Sequence, residues 1–249
     1  MCQKETVYYN QYGQIEIIEV VESQLNYKLH NHSHSYTVLA VLKGSIELKP
    51  EPNYLLLNKG DIYCIKPYEV HKIASIKAYN LIAIILPITY LQVKDGIAIR
   101  NQVEEGLMKT DLYSQLEVNK RKILLDYIEN IKQDEADYDF NEEIEKVIQW
   151  CKQHPERSFS LETISKETYF SPYHYLRTFK NRIGLTPHQF LIQNRIRKAQ
   201  QLLREDRQVA EVALLVGFYD QSHFIRHFKE LIGITPSAYK KVCTNKEQE

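Results

Sequence analysis

Ser171-Pro-Tyr-His-Tyr-Leu-Arg-Thr-Phe-Lys-Asn-Arg-Ile-Gly-Leu-Thr-Pro187 lies over Asp220-Gln-Ser-His-Phe-Ile-Arg-His-Phe-Lys-Glu-Leu-Ile-Gly-Ile-Thr-Pro236 when the chain is shifted by 49 residues. The shared residues are His174/His223, Arg177/Arg226, Phe179/Phe228, Lys180/Lys229, Ile183/Ile232, Gly184/Gly233, Thr186/Thr235 and Pro187/Pro236. Self-similarity at a fixed offset marks a repeated structural unit. Upstream the offset becomes 48, aligning Leu161 with Val209, Ile164 with Val212, Ser165 with Ala213 and Phe170 with Phe218, so the second copy has one extra residue, Tyr219, in its turn. Each copy predicts a short helix, a tight turn and a second helix. Ser171 is a strong N-cap with Pro172 behind it, and Asp220 or Ser222 can cap the other. Ser165 and Ala213 are small where two helices must approach closely. That is helix-turn-helix geometry, expected at about 161–182 and 209–232.

In each second helix the aromatics Tyr175 and Phe179, or Phe224 and Phe228, are four apart and share one face. Arg177 and Lys180, or Arg226 and Lys229, project elsewhere. An arginine there can pair with guanine in bidentate fashion, and a lysine can neutralise phosphate. Between the copies, Phe190, Leu191, Ile196, Ala199, Leu202 and Leu203 form a helical stripe. A helix of about 17 residues is roughly 25 Å long, the right order to hold two recognition helices about one DNA turn apart. Arg195, Arg197 and Lys198 on this connector are expected to divide between phosphate contacts and solubilising charge.

The zero formal net charge hides an asymmetry. Residues 1–140 carry 15 basic and 19 acidic side chains, residues 141–249 carry 17 and 13, and residues 157–241 alone carry 14 and 7. The last segment therefore suits a polyanionic partner. Hydrophobic content of 43% with 26% charged residues is that of a globular chain, and no apolar run approaches the roughly 20 residues of a membrane span. The start at Met1 lacks an apolar signal-peptide core, so a cytoplasmic location is expected, with nucleoid association when DNA is bound. Cys2, Cys64, Cys151 and Cys243 are scattered and read as free thiols.

From Val7 to Leu86, apolar and aromatic runs are broken by Lys43-Gly44-Ser45, Pro50-Glu51-Pro52-Asn53, Asn58-Lys59-Gly60-Asp61 and Lys66-Pro67, the spacing of an antiparallel sandwich or barrel. Near Leu107 the period becomes helical, with Leu112, Leu116, Leu124, Tyr127, Ile128 and Ile131 on one stripe. The acidic stretch from Lys132 to Glu143 reads as an exposed connection. The expected domains are 1–106, a β-barrel; 107–140, a helical segment; and 141–249, all helical. Near the barrel start lies His30-Asn-His32-Ser-His34-Ser-Tyr36, with His71 further on. On a strand, period two would turn His30, His32, His34 and Tyr36 to one side.

The run Val209-Ala-Glu-Val-Ala-Leu-Leu-Val-Gly-Phe-Tyr-Asp-Gln-Ser-His-Phe-Ile-Arg-His-Phe-Lys-Glu-Leu-Ile-Gly-Ile-Thr-Pro-Ser-Ala-Tyr239 resembles the signature of AraC/XylS-family regulators, a likeness covering about the last hundred residues. It implies an α+β multidomain protein: a cupin-like barrel with following helices, then an all-α domain with two helix-turn-helix units joined by a helix. It implies contacts to DNA from Ser171, Tyr173, Leu176, Arg177 and Lys180 in the first unit. Gln221, Ser222, Ile225, Arg226 and Lys229 are their counterparts in the second. Leu176 and Ile225 offer apolar rather than hydrogen-bonding contact. The histidine segments are similar to cupin motifs, but Val38, Leu39 and Ala40 stand where a metal-binding glutamate usually follows. The expectation is therefore no metal and no cofactor, with His32, His34, Tyr36 and His71 lining a pocket for a small-molecule effector. The resemblance makes the helices from Asp111 to Lys132 a dimerisation element, with packing on their own barrel as the alternative. The function implied is an effector-responsive transcription regulator, expected to activate, with promoter DNA, RNA polymerase and a second copy of the chain as partners and no enzymatic activity. The competing readings are a cupin metalloenzyme with a helical accessory domain and a DNA-binding regulator without a ligand.

Overall fold

Turn residues and alternating apolar positions build nine strands among the described residues of the first half of the chain. They are β1 (Thr6–Tyr12), β2 (Ile15–Ser23), β3 (Tyr27–His30), β4 (Ser35–Lys43), β5 (Ser45–Leu48), β6 (Leu55–Asn58), β7 (Ile62–Ile65), β8 (His71–Ser75) and β9 (Tyr79–Pro87). This computed structural model describes residues 6–49, 54–75, 77–131, 142–160 and 171–244. The expected turn at Pro50–Asn53, most of the acidic connection and the expected first helix of the first repeat, with Ser165, lie outside the described residues. The chain divides into two compact units, Met1–Asp137 and Tyr138–Glu249.

In the first unit the strands form a five-stranded sheet ordered β1-β2-β9-β4-β7 and a four-stranded sheet ordered β3-β8-β5-β6. The sequence suggested one barrel; the described strands pair as two sheets and not as one closed cylinder. Gly44 shows why the chain can leave one sheet for the other in a single step. Its φ of +73° is the left-handed conformation, and an added Cβ would stand 2.6 Å from the Ala78 carbonyl oxygen. In β4, Val38 and Ala40 on one face and Leu39 and Val41 on the other are all buried, so both faces of this strand are covered.

Three helices follow: α1 (Ile88–Val93), α2 (Gly96–Met108) and α3 (Val118–Asn130), with a 3₁₀ turn at Tyr113–Gln115. Helix thus begins at Ile88, well before the change of period noticed near Leu107. Leu112, Leu116, Leu124, Ile128 and Ile131 are buried in one cluster with Ile15, Ile17, Val38, Ile82 and Ile84 of the five-stranded sheet. The stripe offered as a dimerisation element is therefore spent on its own sheet; only Tyr127 of that set is exposed, at 37%. Gly106 allows the close approach, because a Cβ there would meet Tyr12 and Ile17 side-chain atoms at 2.7 and 2.8 Å. Buried Glu19 of β2 clamps the same region, accepting from the Leu112 amide at 3.0 Å and from Asn10 Nδ2 at 3.2 Å. Arg100 joins α2 to α3 by donating to Asp126 and Glu129 at 3.0 and 2.7 Å.

The second unit contains α4 (Glu142–Gln153), α5 (Pro172–Ile183), α6 (Pro187–Arg204), α7 (Val209–Leu215), α8 (Gln221–Ile232) and α9 (Pro236–Thr244). The sequence repeat has a structural cause. Gly184 and Gly233 end α5 and α8 in the left-handed conformation, and the Thr-Pro pairs that follow start α6 and α9. Thr186 and Gln189 form a reciprocal capping box at the start of α6. This 18-residue helix packs against every other described helix of the unit. Its length is about 27 Å.

Candidate DNA interface and histidine cluster

In the second repeat, α7, a turn and α8 make a complete helix-turn-helix. The turn needs Gly217: its φ is +84°, and a Cβ would fall 2.2 Å from the Glu156 carbonyl oxygen. Phe218 is buried behind it, and Asp220 caps α8 by accepting from the His223 amide at 2.7 Å. The cap is thus Asp220, one of the two candidates read from sequence. Phe224 and Phe228 are fully buried and continue as an edge-to-face series into Tyr239. This fixes the rotation of α8, leaving Gln221, Ser222, Arg226 and Lys229 exposed and Ile225 half-buried.

The second helix of the first repeat is built alike. Ser171 Oγ accepts from the His174 amide at 3.3 Å, and Tyr175 and Phe179 are buried. Tyr173, Arg177 and Lys180 are exposed and Leu176 is half-buried. The two helices therefore present matching sets of donors. Ser171 thus caps α5 as its sequence position predicts, in addition to its nomination for DNA contact. Tyr219, the extra residue of the second turn, is 94% exposed just before α8.

Arg195 corrects an expectation about the connector. It is 7% exposed, and its guanidinium donates to the carbonyls of Pro155, Gly217 and Arg157 at 2.8, 2.6 and 3.2 Å and to Ser158 Oγ at 3.2 Å. It ties the segment after α4 to the turn of the second repeat and is not available to phosphate. Lys198 is exposed and Arg197 half-buried. On α8, the Nε2 atoms of His223 and His227 lie 2.8 Å apart.

In the first unit, β3 ends at His30, and residues 31–34 are not strand. Period two therefore fails across the histidine run, and the structure sorts it differently. His30 pairs in register with His71 of β8, and His32 folds back toward both. Ring centroids are 4.2 Å apart for His30–His71, 5.2 Å for His30–His32 and 5.1 Å for His32–His71. One nitrogen from each of the three lies within 4.8 Å of the others. His34 is exposed and outside this group, and Tyr36 is buried in the helix-facing core. Of the four side chains expected to line a pocket, only His32 and His71 meet, joined by His30. The missed residue was legible only as a member of the same run.

Backbone carbonyls orient two of these rings. His30 Nδ1 is 2.6 Å from the Lys28 oxygen and His71 Nδ1 is 3.0 Å from the Glu69 oxygen. Glu69 is itself fixed, its carboxylate accepting from Tyr63 Oη at 2.7 Å and from the Lys66 amide at 2.9 Å. The Tyr68 amide donates to the His32 carbonyl at 2.9 Å. Burial, and then neighbouring His30, hold the His71 imidazole well below the ordinary histidine pKa, so it is neutral at neutral pH.

Residues 164–241 match the helix-turn-helix domain family. The chain is 26% identical over 222 residues to the uncharacterized HTH-type transcriptional regulator YbfI of Bacillus subtilis (strain 168), covering 78% of this chain and 81% of that protein. It is 24% identical over 231 residues to the probable transcriptional regulator LumQ of Photobacterium leiognathi, covering 82% and 88%. Its fold is similar to ToxT from Vibrio cholerae O395, with a TM-score of 0.59 at 15% identity over 93% of this chain and 98% of that one. A further ToxT structure, from strain SCE256 with unsaturated fatty acid bound, gives 0.58 at 13% identity over 99% and 100%. No helix among the described residues is long and apolar enough to cross a membrane. The duplicated capped helices, the helix-turn-helix match over residues 164–241 and these likenesses together identify the chain as a DNA-binding transcriptional regulator, in keeping with its resemblance to the AraC/XylS family.

Proposed function

We propose that one chain occupies two successive major grooves of promoter DNA, with α5 and α8 as recognition helices and α6 as the spacer between them. The observation that carries this is the recurrence of one exposed set, Arg177 with Lys180 and Arg226 with Lys229, on two equivalently capped helices joined by an 18-residue helix. Arg177 and Arg226 read base edges, helped by Tyr173, Leu176, Gln221, Ser222 and Ile225. Lys180, Lys229 and the Ser171 end of α5 hold phosphate. The N-terminal unit takes a small-molecule effector that changes how the DNA-binding units are held, and the output is activation through RNA polymerase. ToxT, of similar fold, has been solved with an unsaturated fatty acid bound, which supports a small organic effector for this sheet-and-helix unit. The working state is a cytoplasmic homodimer. Because the inward stripe of α2 and α3 is buried, pairing uses the outward face of α3, where Ile123 and Tyr127 are 53% and 37% exposed.

Selection of genomic fragments by the full-length protein at fixed salt tests the central claim. The expected motif has two blocks about one helical turn, roughly 10 base pairs, apart. Arg226→Ala should cost about 1–3 kcal/mol on that site and relax preference in one block only. A single-block motif, or a variant with unchanged preference, would remove the paired-groove reading.

A further inference from the structure

We propose that His30, His32 and His71 form a binding site for a divalent transition-metal ion of the kind imidazole favours, zinc, nickel or copper. This goes beyond the DNA-binding reading and does not depend on it. Three features converge. The three rings form a triangle closed on every side, with one candidate ligand nitrogen from each within 4.8 Å of the other two. Two rings stand on paired strands, cross-strand neighbours in register, so the pair is built into the sheet and not carried on a loose segment. The third follows on the short segment after β3, whose carbonyl at His32 is pinned by the Tyr68 amide.

To these three is added the outer arrangement. A carbonyl oxygen only accepts, so the Lys28 and Glu69 contacts place the proton of each ring on Nδ1. In the neutral imidazole that leaves the lone pair on Nε2, the atom a metal takes. Ligating histidines characteristically donate their other nitrogen to a carbonyl or carboxylate in this way. A tetrahedral ion with Zn–N bonds of about 2.0–2.1 Å needs nitrogens roughly 3.3 Å apart, so the triangle must contract by about 1.5 Å at most. Small rotations of the half-buried His32 ring supply most of that. Three neutral nitrogen ligands leave a fourth position for water or an exogenous donor, and their softness selects zinc, copper or nickel over magnesium or calcium. The glutamate missing after the histidine run removes one ligand of a larger site but none of this triangle.

The test is titration of the full-length, chelator-treated protein with zinc ion against a chromophoric competitor, and with cobalt ion read by visible absorption. The expected result is one ion per chain, unchanged in His34→Ala and in the double variant His223→Ala/His227→Ala, which disables the other close histidine pair. His32→Ala should weaken uptake at least about tenfold, since loss of an outer partner alone typically costs 10–100-fold. His71→Gln should do the same; because His71 is deeply buried, far-UV dichroism of this variant establishes that it is folded, and half-buried His32 carries the decision if it is not. No uptake at micromolar free zinc overturns the proposal. So does uptake that survives in His32→Ala, or a thiolate charge-transfer band in the cobalt form, which would put the ion on a cysteine.

Discussion

Replacing Arg195 separates two incompatible roles for a basic residue on the connector helix. In the structure one guanidinium serves three carbonyls and a hydroxyl at 2.6–3.2 Å and lies over the Phe218 ring at 5.7 Å from its centroid. Hydrogen bonds to a charged group contribute about 1.5–3 kcal/mol each, but the four share one side chain, and water entering the gap recovers part of the loss. Removing the side chain strips three carbonyls and a hydroxyl of one charged donor at once, and the expected loss for Arg195→Ala is about 3–5 kcal/mol. With a urea slope of about 1–1.5 kcal/mol/M for a unit of this size, the midpoint falls by roughly 2–5 M. Trp150 is the only tryptophan in the chain and packs edge-to-face on Phe159, so its fluorescence reports unfolding of the second unit alone. Arg195→Lys should recover only part of the loss, because one ammonium cannot span the four acceptors. Lys198→Ala, at an exposed position, should stay within about 0.5 kcal/mol. A midpoint for Arg195→Ala within that same margin, with DNA affinity reduced, would refute the argument and return Arg195 to the phosphate contacts.

Lys229→Ala should weaken binding to all sequences and reduce the slope of log affinity against log salt by about 0.9, measured by anisotropy at several salt concentrations; an unaltered slope excludes a phosphate contact. Gly217→Ala puts a side chain at positive φ and 2.2 Å from a carbonyl oxygen, and should destabilise the second unit by about 2–4 kcal/mol in the same fluorescence assay. A loss under about 0.5 kcal/mol would mean the turn relaxes freely. Burial pushes the Cys151 thiol up from 9.0 to about 12, so it should resist alkylation at pH 8 in the native protein and react in urea. The linked stabilisation is present below pH 9 and is lost as pH rises from there toward the native value, which a urea midpoint measured across that window would show; rapid native labelling of Cys151 would contradict its burial.

The sequence by itself determined the second unit in considerable detail. Caps, glycine stops, Thr-Pro starts and aromatic pairs four residues apart act within a turn or two of helix. The duplication showed twice that Ser171 and Asp220, Gly184 and Gly233, and the Arg–Lys pairs occupy equivalent places. The exposed faces of α5 and α8 follow from that local pattern, because burying Tyr175 with Phe179, or Phe224 with Phe228, leaves Arg177 and Arg226 outward. A strand-rich first half was likewise legible in its turns and alternation.

Tertiary structure alone decided what each ambiguous residue faces. Helical spacing makes Arg195 look like a surface charge; contacts 22 to 40 residues away make it a buried tie. The stripe from Leu112 to Ile131 has the same periodicity whether it meets a second chain or its own sheet, and only the five-stranded sheet beneath it settles the choice. The histidine run was read with a strand's period, but β3 stops at His30, so the following residues no longer alternate. His30 and His71 meet because β3 and β8 are paired, a contact 41 positions apart along the chain that no local pattern encodes. Periodicity and capping are short-range physics and can be read from the chain; the partner of a face is set by long-range packing and appears only in the fold.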